Sequence, residues 1–168
     1  MALIHDSEVW QKRLAALPLE SYGAGATVFA EGTKTGRLLI LKEGAVEIVK
    51  GGIQIATAAE PGAVFGELSA LLDQPHGADV RTLKASQFHV ADAAHLLTDP
   101  AALGYVALVL ARRVDGANRA LVELKTQIEA GAPPGLLDQT VDRIAGLLSA
   151  IGTGYIRAGA GLVGHHVT

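Results

Sequence analysis

The chain has 168 residues, 49% of them apolar, a formal net charge of −3 and no cysteine. That length is enough for one domain with a real core and an appended helical element, and too short for two full domains. Without thiols neither a disulfide nor a thiolate metal site can form, which fits a reducing compartment, and the mild acidity argues against nonspecific attraction to nucleic acid.

No apolar run approaches the ~20 residues of a membrane span. The first ten residues carry Asp6 and Glu8 where a signal peptide would be basic and then apolar. A soluble cytoplasmic protein with no membrane association is therefore expected. Asp6 or Ser7 caps a predicted short helix through about residue 16, with Glu8 in its first turn and Lys12 and Arg13 later, the order the helix dipole favours. Pro18 stops it. Over 19–92 glycine recurs between short segments such as Thr27-Val28-Phe29-Ala30, Arg37-Leu38-Leu39-Ile40-Leu41, Ala45-Val46-Glu47-Ile48-Val49 and Ile53-Gln54-Ile55-Ala56. Brief strands separated by turn signals predict a compact antiparallel barrel or roll.

Within that region Phe65-Gly66-Glu67-Leu68-Ser69-Ala70-Leu71 has the layout of an anion cradle. A glycine at the start of a short helix lets backbone approach a ligand, and unsatisfied N–H groups favour an anion. A glutamate beside such a site cannot hold a phosphate, so its partner is a hydroxyl that donates to it. Phosphate and sugar hydroxyl together point to a nucleotide. Two plainer readings stand beside this one: Glu67 bonded to neighbouring backbone N–H groups, and Gly66 serving only the turn. Pro75 ends the helical turn, and an extended pattern resumes at Ala78-Asp79-Val80-Arg81-Thr82, where Asp79 and Arg81 share strand parity and can pair.

From about residue 100 the period changes. Leu103, Val106, Leu110, Val114, Ala117, Leu121, Leu124 and Ile128 recur at three- and four-residue steps, which predicts a long helix with one apolar seam. Such a seam either packs on the roll or pairs with its copy in a second chain, and its regularity favours a homodimer. Arg112-Arg113 reads as the solvated flank of that seam. Residues 129–135 form a breaker-rich linker, Leu137, Val141, Ile144, Leu148 and Ile151 mark one more amphipathic helix, and 152–168 is glycine-rich. The predicted units are thus an N-terminal helix over 1–18, a roll with its long helix over 19–128, and a linker, short helix and tail over 129–168.

The region from Tyr22 to Leu124 resembles the cyclic-nucleotide-binding domain family, the ligand module of catabolite-activator-type regulators, kinase regulatory subunits and nucleotide-gated channels. The resemblance rests on Tyr22, Gly25, Val28-Phe29, Glu31-Gly32, Leu39-Ile40-Leu41, Gly44, Val46, Pro61-Gly62 and Phe65-Gly66-Glu67-Leu68, in that order and spacing. It implies an α+β, mainly β fold: an antiparallel β-roll of double-stranded β-helix or jelly-roll type, flanked by an N-terminal helix and a long C-terminal helix. It also implies a cyclic nucleotide ligand, cyclic AMP or cyclic GMP, with no other cofactor. By the same resemblance Gly66 and the N–H groups near it face the cyclic phosphate, Phe65 and Leu68 belong to the same ligand-binding turn, Glu67 accepts from the ribose 2′-hydroxyl, and Asn118 on the long helix reads the base edge. An amide that simply faces water on the outside of the helix explains Asn118 equally well.

The family's P-R-x-A pattern departs here. His76 stands where its arginine would be, Gly77 where a serine or threonine follows, and Ala78 keeps the last position. Arginine offers a permanent charge and a planar fork, whereas histidine with an ordinary pKa of about 6.5 is mostly neutral at pH 7. Losing a charged hydrogen bond costs roughly 1.5–3 kcal/mol, so weak or altered ligand binding is expected. His76 reads alternatively as a solvated loop residue.

Catalysis and metal binding are not expected. His5, His76, His89, His95, His165 and His166 are scattered, and Ser69 has no recognisable base. Nor does any segment after the long helix read as a helix-turn-helix, so no nucleic-acid partner is expected. Two functions remain: a small-ligand sensor that acts on a dimer or partner contact through the long helix, or a ligand-free module that uses the fold to dock a protein partner.

Overall fold

The computed structural model describes residues 8–148. The predicted capping by Asp6 or Ser7 and the glycine-rich tail fall outside those residues. Helix α1 spans Glu8–Ala15, and the strands β1 Leu19–Tyr22, β2 Thr27–Phe29, β3 Arg37–Glu43, β4 Val46–Lys50, β5 Ile53–Ala58 and β6 Val64–Phe65 follow. The short helix α2 Glu67–Leu72 interrupts the strands, and β7 Asp79–Thr82 and β8 Ser86–Asp92 complete them. Helices α3 Ala93–Leu96, α4 Pro100–Glu129 and α5 Pro134–Leu148 end the described chain.

The strands form two four-stranded sheets, ordered β1-β8-β3-β6 and β2-β7-β4-β5. Every recorded pairing is antiparallel. Side chains alternate across a strand, so the inner face of each sheet contributes every second residue to a shared interior. Leu39 and Leu41 of β3, Val46 and Ile48 of β4, Phe65, Val80 and Phe88 meet there. The intervening Leu38 and Ile40 point the other way, into a second cluster with Val64, Trp10 of α1, Leu96 of α3 and Ala102, Tyr105 and Val109 of α4. The sheet carrying β3 is thus covered on both faces, which is why Leu38-Leu39-Ile40-Leu41 is continuously apolar rather than alternating.

Two glycines are fixed by crowding. Gly44 (φ 116°) turns β3 into β4 directly against Ser86, and Gly66 (φ 90°) opens α2 against the Arg37 carbonyl and the Phe29 ring. At both, a Cβ would collide with a neighbour, and the left-handed backbone is one that side chains other than glycine rarely adopt.

Helix α4 starts at Pro100 with Asp99 as cap, its carboxylate accepting from the Ala101 N–H at 2.8 Å. Its start is tied to both ends of the roll: Trp10 stacks on Tyr105 with centroids 4.6 Å apart, and the Tyr105 hydroxyl donates to the Gly62 carbonyl at 2.7 Å. The face that packs inward is Ala102, Tyr105, Val106, Val109, Arg113, Gly116, Ala117 and Ala120. This corrects the reading of one seam. Of the eight apolar positions recognised in the sequence only Val106 and Ala117 are buried, while Leu103, Val114, Leu121 and Ile128 are 44–58% exposed. The helix has two apolar faces, and the one conspicuous in the sequence is the outer. Helix α5 folds back against α4 and β5, pinned by Thr140 donating to Gln127 and by Arg143 pairing with Glu123.

Candidate functional site

The end of β6, helix α2 and the loop before β7 enclose a cavity of about 180 Å³ inside the roll. Its walls take apolar groups from both sheets, Ile48, Ile55, Phe65 and Val80, and polar groups from 66–69 and 74–77. The structure brings together seven of the eight residues singled out in the sequence: Phe65, Gly66, Glu67, Leu68, His76, Gly77 and Ala78 all line it. Asn118 does not. It is exposed on α4 and lies outside the lining, because the inward face of that turn belongs to Gly116 and Ala117.

Glu67 is the most unusual group. It is 0% exposed, and Oε1 accepts from Nη1 of Arg113, itself 5% exposed, reaching in from α4. Oε2 is buried without a hydrogen-bond partner. A buried carboxylate oxygen left unpaired costs free energy, so this position calls for a donor. The reading of Arg113 as a solvated flank is thereby corrected. The signal was present in the sequence: Arg113 follows Val106 and Val109 by seven and four positions, on the face that Ala117 and Ala120 continue.

His76 is also buried, at 6% exposure, rather than solvated. Its ring stacks on Phe29 with centroids 4.1 Å apart, and Nε2 lies 2.9 Å from the Thr35 hydroxyl. Backbone bonds fix the loop around it, from its N–H to Thr33 and from the Gly32 N–H to its carbonyl, both 2.8 Å. Burial pushes the imidazole below its ordinary pKa, so it is neutral at pH 7. At Gly77 the space a side chain would fill is open. Asp79 turns away from the cavity chemistry, accepting from the Glu31 N–H at 2.6 Å and pairing with Arg81; the backbone bond first and the guanidinium second hold its carboxyl below the usual range. Ser69 is 6% exposed and its hydroxyl donates to the Gln74 carbonyl at 2.5 Å, closing α2. Sequence reasoning overlooked Phe29, Thr35 and Lys50, the last an exposed residue at the end of β4 that contributes the lining's cation.

Among the described residues no group of three or more histidines and carboxylates is placed to hold a metal, and no helix is long and apolar enough to cross a membrane.

Known proteins with this architecture give the site its context. Residues 19–98 match the family model described as the cyclic nucleotide-binding domain. A solved structure described as Sp-2Cl-cAMPS bound to PKAR CBD2 is 25% identical, with a TM-score of 0.54 over 75% of this chain and 80% of that one. The Thermus thermophilus catabolite activator protein is 21% identical, with a TM-score of 0.56 over 82% and 81%. The regulatory subunit of a cAMP-independent protein kinase A from Trypanosoma brucei is also 21% identical, with a TM-score of 0.54 over 60% of this chain. The chain spans 37% of that subunit and 40% of another, described as cAMP-bound PfPKA-R. No curated protein matches the sequence. The two facing sheets and the Phe65-Gly66-Glu67-Leu68 turn thus lie within residues 19–98, the part of this chain that matches the cyclic nucleotide-binding domain model.

Proposed function

We propose that this chain is a regulatory sensor module. A ribose-bearing ligand enters the roll at Glu67, cyclic AMP and cyclic GMP bind weakly because His76 stands at the phosphate position, and occupancy is passed through Arg113 to α4. The outer face of α4 then pairs with a second copy. One observation carries this reading: Glu67, a residue of the cavity lining, gives Oε1 to Arg113 of α4 and leaves Oε2 buried without a partner. A hydroxyl donating to Oε2 draws on the same carboxylate that Arg113 grips, so the ligand interacts differently with two positions of α4, as a coupled switch requires.

Support for pairing comes from Val114, Leu121 and Ile128, exposed at seven-residue steps along the outer face of α4. We assign no catalytic step to the chain and place it in the cytoplasm, which its lack of cysteine suits. The reading is tested by sedimentation of wild type and Leu121→Glu, with and without saturating cyclic AMP. A dimer in wild type that dissociates in Leu121→Glu, and whose association constant changes at least fivefold with ligand, is expected. A monomer under all conditions would remove the pairing, and an association constant indifferent to bound ligand would remove the coupling.

A further inference from the structure

Resting on the reading of the cavity as a ribose site, we infer that its preferred ligand is an uncharged nucleoside rather than the corresponding cyclic phosphate. The charges that face the cavity decide the class of ligand. Glu67 brings a wholly buried carboxylate, already paired with Arg113, whose unpartnered Oε2 calls for a hydrogen-bond donor, which an anionic oxygen cannot supply. A vicinal diol supplies donors without charge.

The side chains at 76 and 77 offer no charge to grip a phosphate. The His76 ring is held flat on Phe29 and engaged by the Thr35 hydroxyl, and Gly77 brings no side chain. Helix α2 has only six residues, too few for its dipole to stand in for a missing charge. Lys50, the cation of the lining, is exposed at the end of β4, where its ammonium stays hydrated. A phosphate entering here would give up its own hydration with no buried cation among the lining residues to replace it, since the one buried guanidinium nearby, Arg113, is already paired with Glu67. Ile48 and Ile55 form an apolar wall suited to the flat base of a nucleoside, which a free sugar would not use.

The test is calorimetric titration of the full chain at pH 7 with adenosine, guanosine, cyclic AMP, cyclic GMP and ribose. At least one nucleoside is expected to bind ten- to a hundredfold more tightly than its cyclic monophosphate, with ribose alone far weaker. Introducing the charge by His76→Arg is expected to narrow or reverse that ratio. Cyclic phosphates binding as tightly as nucleosides, with affinity lost in Lys50→Met, would overturn the inference while leaving the sensor reading in place. Ribose matching adenosine would overturn the nucleoside class. No heat from any of the five at millimolar concentration would overturn both the inference and the sensor reading.

Discussion

Glu67 and His76 show how much the environment of a single side chain can change its role. The Glu67 carboxylate is tolerated at 0% exposure because Arg113 neutralises it. Removing one partner of a buried ion pair typically costs about 3–5 kcal/mol, since the other charge is left stranded. Arg113→Ala is therefore expected to lower the urea midpoint by that order of stability, whereas Arg119→Ala, which breaks a pair on the exposed side of α4, should stay within about 0.5 kcal/mol. Equal effects of the two substitutions would contradict the buried pairing.

His76 makes a prediction of opposite character. Burial lowers its pKa in the folded state, and burial first, with the nearby Lys42 charge second, does the same at His89. The unfolded chain then binds more protons than the folded one below about pH 6.5, so stability is complete above that value and is lost as the pH falls toward the folded-state pKa values. Urea unfolding at pH 7.5 and pH 5.5 should show the loss, and His76→Gln should shrink the difference between them. A stability that is flat across this range would contradict it.

At the scale of elements, what the sequence discloses and what it hides have the same origin. Strand positions were legible where turn glycines bracket β-branched and apolar runs, as in β2 through β5. The first strand, β1, reads Leu19-Glu20-Ser21-Tyr22, and its membership comes from pairing with β8 rather than from composition. The long helix was legible as a helix, but its inward face was not. That face is built from Ala102, Gly116, Ala117 and Ala120, small residues that let α4 approach closely and that carry little hydrophobic signal. The larger outward residues, Leu103, Val114, Leu121 and Ile128, dominate the pattern instead. Arg113 was misplaced for the same reason, since a charge on a face of small residues looks solvated until its partner on α2 is known.

Helix α2 supplies the element-scale test. Gly66 has φ 90° and lies against the Arg37 carbonyl and the Phe29 ring, so Gly66→Ala meets both backbone strain and a collision with main chain. Strain of this kind costs on the order of 1–3 kcal/mol. Thermal unfolding of Gly66→Ala should show at least that loss, while Gly77→Ala, whose Cβ enters open space, should be nearly neutral. Equal tolerance at both positions would contradict the placement of α2.

Over the whole molecule, the roll and its helices are joined by one chain of contacts. Trp10 of α1 stacks on Tyr105, Tyr105 reaches the Gly62 carbonyl ahead of β6, and Arg113 two turns further along α4 reaches Glu67 at the start of α2. The cavity is thus bounded by segments that α4 touches at two points, and in the proposed switch a ligand acts on the helix by altering one of these contacts. The family and the cavity-lining turn were readable from Phe65-Gly66-Glu67-Leu68, because a short glycine-led motif fixes its own geometry. The neutral, stacked state of His76 was not readable, since it depends on Phe29 and Thr35, more than forty positions away in the chain.

The proposed switch turns on one carboxylate oxygen accepting from a ribose hydroxyl. The most direct measurement is calorimetric titration of wild type and Glu67→Gln at pH 7 with adenosine and 2′-deoxyadenosine, and with cyclic AMP and its 2′-deoxy analogue. A charged acceptor is worth roughly 1.5–3 kcal/mol, so wild type should prefer the ribose form about tenfold or more. That preference should collapse in Glu67→Gln. Equal affinity of wild type for ribose and deoxyribose forms, or a preference that survives the loss of the carboxylate, would contradict the claim.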